Sequence, residues 1–174
     1  MTVAALFVRR DSPYKSLPGV ECYDFERDAR TYAGPWPVVA HPPCRAWGRL
    51  RHMAKPRVGE RELALFALDA VRRWGGVLEH PEASGLWAEA GLLAPLTYDL
   101  WGGFTVVVDQ AAWGHRARKR TWLYVCRCEP PPIPPARVAV TTVERLCRAE
   151  RERTPPELAS WLVQCASSAR PSNL

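Results

Sequence analysis

Short apolar runs, set off by prolines, glycines and charged clusters, alternate along the chain with stretches of helical period. Val3 to Val8 (VAALFV) is apolar throughout, as a strand covered on both faces would be. After the polar, proline-containing connection RRDSPYKSLPG, Val20 to Tyr23 reads as a second strand ending at Asp24. Val38 to Ala40 follows Pro37, a residue that fits only the first position or the edge of a strand, and is stopped by His41-Pro42-Pro43-Cys44. Glu60 to Arg73 places Leu63, Phe66, Leu68, Ala70 and Val71 toward one side, which predicts a helix ended by Trp74-Gly75-Gly76. Val77 and Leu78 then start another strand, running into Glu79-His80-Pro81.

Strand, helix, strand at this spacing is a βαβ unit, whose right-handed crossover sets the two strand ends side by side on a parallel sheet. Cys44 and Glu79 are therefore expected on one rim, outside the carboxyl ends of the strands, where open α/β sheets bind ligands. Ser84 to Leu93 reads as a short helix capped by Ser84. Phe104 to Asp109 and Thr121 to Cys126 read as an antiparallel hairpin joined by the basic turn QAAWGHRARKR. Beyond Cys128, EPPPIPPAR is a polyproline spacer. Thr141 to Arg151 reads as a helix, and Thr154-Pro155-Pro156-Glu157 as the start of a last one, with Thr154 as cap and Leu158, Trp161, Leu162 and Cys165 on its inner face. The tail after Ala166 reads as frayed. The resulting expectation is an α/β core over 1–128, a spacer over 129–139 and packed C-terminal helices over 140–168, with helices on both faces of a mostly parallel sheet.

Composition narrows the class. At 174 residues, 47% hydrophobic and 24% charged, the chain fits one globular domain, and its 17 prolines and 8 tryptophans imply many rigid turns and aromatics for stacking. No apolar run is long enough for a membrane span or preceded by a basic leader, so a cytoplasmic location is expected. The six cysteines show no C-x-x-C pair and no zinc-ribbon spacing, which favours free thiols. The net charge of +6 suits a polyanionic partner.

The chemistry clusters around the turn at Cys44. Two prolines hold that thiol on a stiff extended turn, as a nucleophile or as a small buried cysteine. Arg45, Arg49, Arg51, Lys55 and Arg57 follow with no acid among them, a loop suited to clamping phosphates or simply solvated. Asp24, just past the second strand, stands where dinucleotide folds grip ribose, or is a loop acid. A metal shared by His41, Cys44 and His80 is one alternative chemistry.

The order of these motifs resembles the cytosine-C5 DNA methyltransferases: Pro43-Cys44 after a strand, Glu79-His80-Pro81 where the family has Glu-Asn, and Arg116-Ala117-Arg118-Lys119-Arg120 where it has Gln-x-Arg-x-Arg. The likeness spans roughly residues 1 to 126 and is shared by small phage-encoded proteins with the HPPC and EHP pattern, which would place the chain in a host cytoplasm. Its departures are the absence of glycine before Gly19 after the first strand, a shortened target-recognition region and no closing Gly-Asn motif. The resemblance implies a Rossmann-like methyltransferase-type sheet and a partner in DNA, single-stranded or with a flipped base. Cys44 would add to C6 of cytosine, Glu79 would act as the acid at N3, and Arg118 with Arg120 would offset the developing charge. It further implies S-adenosyl-L-methionine held near Phe7, Asp24 and Pro42, and nucleic acid held by Arg45, Arg49, Arg51, Lys55, Arg57, Arg116 and Lys119. Nearby cations would raise the thiolate share. Two other readings are a non-catalytic nucleic-acid-binding or decoy protein on a degenerate fold and an amino-methyltransferase, whose turn needs an aromatic where Cys44 stands.

Overall fold

A computed structural model describes residues 1–49, 51–92 and 98–170. It is an α/β structure built on one six-stranded sheet in the order β2-β1-β3-β4-β7-β5, where β1 is Val3–Leu6, β2 Val20–Tyr23, β3 Val38–Ala40, β4 Gly76–Pro81, β5 Gly103–Asp109 and β7 Arg120–Cys126. The first four strands are parallel, and β7 runs antiparallel between β4 and β5. A short second ladder joins β6, Ala117–Arg118, to β8, Thr141–Thr142. Among the described residues, no helix is long and apolar enough to cross a membrane.

Both faces of the sheet are covered. Leu6, Val38, Ala40 and Leu78 pack under helix α1, Glu60–Trp74, and the short helix α2, Leu86–Glu89. Val3, Ala5, Val39, Val77, Leu123 and Val125 pack under helix α4, Pro156–Ser167. The alternation along each strand accounts for this division, since successive side chains leave opposite faces.

The buried stripe of α1 is made mostly of small residues, Ala64, Ala67 and Ala70 beside Leu68 and Val71, whereas Leu63 and Phe66 are only half-buried. The guanidinium of Arg127 closes this helix by donating to the carbonyls of Arg72 (2.7 Å) and Arg73 (2.9 Å), the last-turn oxygens that lack a partner within the helix. Gly75 and Gly76 then turn the chain into β4 at φ +78° and +124°. A Cβ on Gly76 would stand 1.9 Å from the carbonyl oxygen of Val38, so only glycine lets β4 approach β3 there.

Several expectations are corrected. The first strand stops at Leu6 because Phe7 takes a left-handed conformation, φ +60°, and turns the chain away from the ladder. Thr141 to Arg151 is not one helix: β8 is followed by a 3-10 turn over Val143–Arg145 and a five-residue helix α3, Arg148–Glu152. Leu146 is the one buried apolar residue of this stretch, too little to hold a longer helix against the core. The last helix is capped by Pro155 rather than Thr154, yet Leu158, Trp161, Leu162 and Cys165 are all buried as expected. The helix expected over Ser84 to Leu93 is only the single turn Leu86–Glu89 with Gly85 at its cap position, and Gly91 at φ +65° turns the chain out of it; Ser84 still accepts the amide of Leu86 (3.1 Å), and Leu93 lies outside the described residues. The chain after Ala166 stays bonded, with the Arg170 amide donating to the carbonyl of Arg127 (3.0 Å).

Candidate active site at the carboxyl edge of the sheet

The ends of β3 and β4 lie side by side, Ala40 opposite Leu78, and the residues just beyond them form the site. The amide of His41 still bonds the Leu6 carbonyl (3.1 Å), after which Pro42 and Pro43 lift the chain off the sheet and deliver Cys44 to the rim. The Cys44 carbonyl accepts from the amides of Trp47 (3.0 Å) and Gly48 (2.8 Å), which folds the chain back immediately behind the thiol.

Glu79 is almost fully buried and occupies the α4 face of β4, together with Val77. Its Oε2 accepts from Nδ1 of His41 (2.9 Å), and its Oε1 accepts from Nε2 of Gln110 (3.0 Å), which also donates to the Thr121 hydroxyl (3.0 Å). The hydroxyl of Tyr14 closes the other side by donating to His41 Nε2 (2.8 Å). Burial holds the Tyr14 phenol protonated, far above its usual range, as a donor must be. Desolvation pushes the Glu79 carboxyl up, but the hydrogen bond from His41 and the positive field of Lys119 outweigh it and bring the group down to about 2. Glu79 is thus held as an ionised acceptor in the free protein.

The hairpin arginines do not face this carboxylate. Arg120 and Trp122 leave one side of β7 and meet Glu82, Arg120 through a forked pair at 2.6–3.0 Å. The Thr121 and Leu123 side chains leave the other side, the one occupied by Glu79. Arg118 lies 3.5 Å from Asp109 and Arg116 2.7 Å from Glu150. The expected stabilisers Arg118 and Arg120 are therefore paired with acids away from Glu79, and the nearby cation is Lys119.

Cys44 is exposed, yet desolvation by the packed turn and the charge of Glu79 push its thiol above the ordinary range, against an opposing pull from Lys119. The expectation that flanking arginines would lower it is corrected. Arg45 is turned away and grips the buried carboxylate of Glu60 with two bonds, 2.8 and 2.7 Å. That pair anchors the basic loop to the start of α1, so Arg45 is a structural residue. Arg57 stacks over Phe25, and Arg49, Arg51 and Lys55 have no acid partner among the described residues. An open cleft of about 350 Å³ is lined by Arg51, Arg57 and Arg61 with Pro56 and Gly59. A second, of about 390 Å³, lies between Trp113, Leu146 and Pro156. Neither is lined by Cys44 or Glu79.

His80, consecutive to Glu79, points to the opposite face and packs edge-on against Trp87. Neither of its ring nitrogens has a partner among the described residues, and burial brings the imidazole down to about 4. A metal shared by His41, Cys44 and His80 is thereby corrected, because the sheet separates the two histidines. Among the described residues no three His, Cys, Asp or Glu side chains converge on a common point.

The residues expected to hold S-adenosyl-L-methionine do not fit it. Phe7 packs edge-on against Phe66 in the left-handed turn after β1, with no glycine there to admit a ligand. Asp24 is occupied by Lys15 (2.6 Å) and by the amides of Glu26 and Arg27, with the Lys15 bond first among the causes that hold it at about 2. The chain after β1 forms a single 3-10 turn, Pro13–Ser16, instead of a helix whose amino end could receive an anion. Pro42 is buried beneath the Cys44 turn.

Sequence reasoning missed Tyr14, Gln110 and Thr121, and reached His41 only as a metal ligand. Alternation along TWLYV, which puts Thr121 and Leu123 on one side and Trp122 and Tyr124 on the other, is the signal that separates Lys119 from Arg120. A scan against protein-family models and a search of curated proteins both return no match.

Proposed function

We propose that the chain acts on cytosine in DNA through covalent addition of the Cys44 thiolate to C6 of the base. The observation that carries this reading is the delivery of the Cys44 turn and the Glu79 carboxylate to one edge of the sheet by the neighbouring ends of β3 and β4, the carboxylate held by His41 and Gln110. Addition breaks the C5–C6 double bond and places its electrons on C5 and the ring. An ionised carboxylate at Glu79 accepts from the exocyclic amine of cytosine and repels the carbonyl that uracil presents there. The proton for N3 then comes with the bound base or through His41, which already shares a hydrogen with Glu79. Protonation of C5 by water, then loss of the original C5 proton to water as the C6–S bond breaks and the thiolate leaves, exchanges the C5 hydrogen and restores the C5–C6 double bond, and transfer of a one-carbon group to C5 is the further outcome that the resemblance implies. A Rossmann-like methyltransferase-type sheet agrees with the parallel β1–β4 core and the inserted antiparallel β7.

DNA is the partner this reading requires. Arg49, Arg51, Lys55 and Arg57 form a basic surface on the loop that follows the nucleophile, suited to tracking a phosphate backbone, and Arg51 and Arg57 wall a cleft whose other side is Glu62 and the Glu89-paired Arg61 of α1. The second reading, a non-catalytic DNA-binding protein on the same fold, is favoured by one observation: the arginines around the thiol are turned to acids elsewhere, Arg45 to Glu60, Arg116 to Glu150, Arg118 to Asp109 and Arg120 to Glu82.

Incubation with oligonucleotides carrying 5-fluorocytosine, with and without S-adenosyl-L-methionine, followed by denaturing electrophoresis, tests the reading. An adduct lost in Cys44→Ser supports it, and its dependence on the added donor decides methyl transfer. Release of tritium from [5-³H]cytosine DNA reports addition alone. Salt-dependent DNA binding with neither adduct nor exchange overturns the catalytic reading in favour of the second.

A further inference from the structure

We propose that His41 and Tyr14 are positioning residues that carry the proton needed at N3, Tyr14 holding the imidazole so that its Nδ1 hydrogen is shared with Glu79 whether the ring is neutral or charged. This deepens the reading above by choosing the source of that proton, and it rests on that reading.

The three side chains form one hydrogen-bonded line. Nδ1 of His41 stands 2.9 Å from Glu79 Oε2, and Nε2, across the ring, stands 2.8 Å from the Tyr14 hydroxyl. An ionised carboxylate only accepts, so the hydrogen of a neutral ring belongs on Nδ1 and Nε2 keeps its lone pair. A phenol both donates and accepts, and His41 is the one hydrogen-bond partner of the Tyr14 hydroxyl among the described residues. Turning that O–H lets Nε2 take a proton with every heavy atom in place.

The line is fixed at both ends. Glu79 Oε1 is held by Nε2 of Gln110, whose second hydrogen goes to Thr121, so the carboxylate keeps Oε2 on His41. Tyr14 is fully buried in its 3-10 turn, its ring 5.4 Å from that of His41. The His41 amide is bonded to Leu6, and the proline that follows restricts the backbone to extended conformations. His41 and Glu79 are only 11% and 12% exposed, which leaves little bulk water to compete for the shared hydrogen.

The proton count closes on this chain and water. The proton lost from the Cys44 thiol as the thiolate forms is matched, through water, by one taken up at Nε2, which gives an imidazolium donating to Tyr14 and to Glu79. As the sulfur–C6 bond forms and the electrons of the C5–C6 bond move into the ring of the base, the Nδ1 proton passes to the Glu79 carboxylate and from there to N3. The imidazole left behind keeps its hydrogen on Nε2 and faces Oε2 acceptor to acceptor, which favours return of the proton when the thiolate leaves. The titratable groups set against this line are Cys22 beside Tyr14, Lys119 and His80 acting on Glu79, and Cys44 beyond Pro43.

Nitrogen spectra of the full chain labelled with ¹⁵N-histidine, without nucleic acid, read the ring directly, and His41→Gln assigns its signals among the four histidines. In the neutral ring the hydrogen should lie on Nδ1, and lowering the pH should move the Nε2 shift while Nδ1 stays protonated. Glu79→Leu should move the neutral ring to the Nε2–H form, with Tyr14 accepting. Tritium release from cytosine DNA labelled at C5 supplies the functional arm. Wild type should give a bell against pH, thiolate on one side and imidazolium on the other. His41→Gln keeps an amide donor to Glu79 but no mobile proton, and should slow exchange about a hundredfold and leave a single limb rising with pH. An Nε2–H tautomer in the neutral wild-type ring overturns the relay, as does an unchanged rate and profile in His41→Gln while wild type exchanges. Wild type that exchanges no tritium overturns the reading beneath it as well, which keeps the two failures apart.

Discussion

Glu79 and His80 are consecutive on β4 and face opposite sides of the sheet, the first held ionised by His41, Gln110 and the field of Lys119, the second held neutral against Trp87. Both shifts make the folded state bind protons less readily than the unfolded chain, so both make stability rise with pH. For His80 the contribution is complete above its ordinary value of 6.5 and is lost as pH falls toward 4. For Glu79 it is complete above 4.5 and is lost as pH falls toward 2. Each is worth about 3 kcal/mol at most over its window. Urea unfolding at pH 7, 6, 5 and 4 should show a steady decline, and His80→Leu should flatten it between 6.5 and 4. An equally steep decline in the variant would assign the loss to other groups.

Tyr14→Phe removes the donor to His41 Nε2 and leaves that nitrogen buried without a partner. The expected cost is about 1–2 kcal/mol in denaturant midpoint at constant m-value. Nitrogen chemical shifts of His41 should report the change at the ring, and a stability equal to wild type would mean that the bond carries no net energy.

Arg45 and Lys55 stand in one basic loop but should behave oppositely. Arg45→Ala strands the Glu60 carboxylate, which is 3% exposed, and should cost about 2 kcal/mol; Arg45 is itself one-third exposed, which keeps the figure below that of a fully buried pair. Lys55→Ala should leave the thermal midpoint in place and weaken DNA binding, lowering the slope of log affinity against log salt by up to about 0.9. A shift in thermal midpoint for Lys55→Ala alone would reverse the two assignments.

Gly76→Ala should prevent the close pairing of β4 with β3, since the added carbon meets the Val38 backbone instead of a movable side chain. A loss above about 4 kcal/mol, or no recoverable folded protein, is the expected outcome. Circular dichroism of the purified variant suffices to check it.

Much of the frame is readable from the chain. The prolines before and after Val38–Ala40, the unbroken apolar run at Val3 and the β-rich runs at Phe104 and Thr121 mark strands whose burial is set by their own composition. The βαβ spacing then brings Cys44 and Glu79 to one edge. What joins them is less legible, because it depends on partners distant in sequence. Tyr14 lies in a 3-10 turn with no periodicity, and Gln110 carries no charge or motif, yet these two fix the hydrogen-bond state of His41 and Glu79. The basic loop and the RARKR run look uniformly cationic as letters. Their charges become distinct only when Glu60, Glu82, Asp109 and Glu150 claim particular arginines. The expected helix over Thr141 to Arg151 fails for a local reason, since a single buried leucine offers the core too little to grip.

The antiparallel setting of β7 has a bearing on how the site comes into being. Three neighbouring strands deliver their ends to the working edge, whereas β7 delivers its beginning, so Lys119 and Thr121 arrive only when the hairpin of β5 and β7 has docked along β4. The Cys44 turn is held by β1, β3, α1 and, through the Gly85 amide donating to the Trp47 carbonyl (2.8 Å), the chain just after β4. A chain whose hairpin has opened would keep its nucleophile and its carboxylate and lose Gln110 and Thr121, which fix one oxygen of that carboxylate. The bonding of one buried acid would then register the assembly of the entire second half of the sheet.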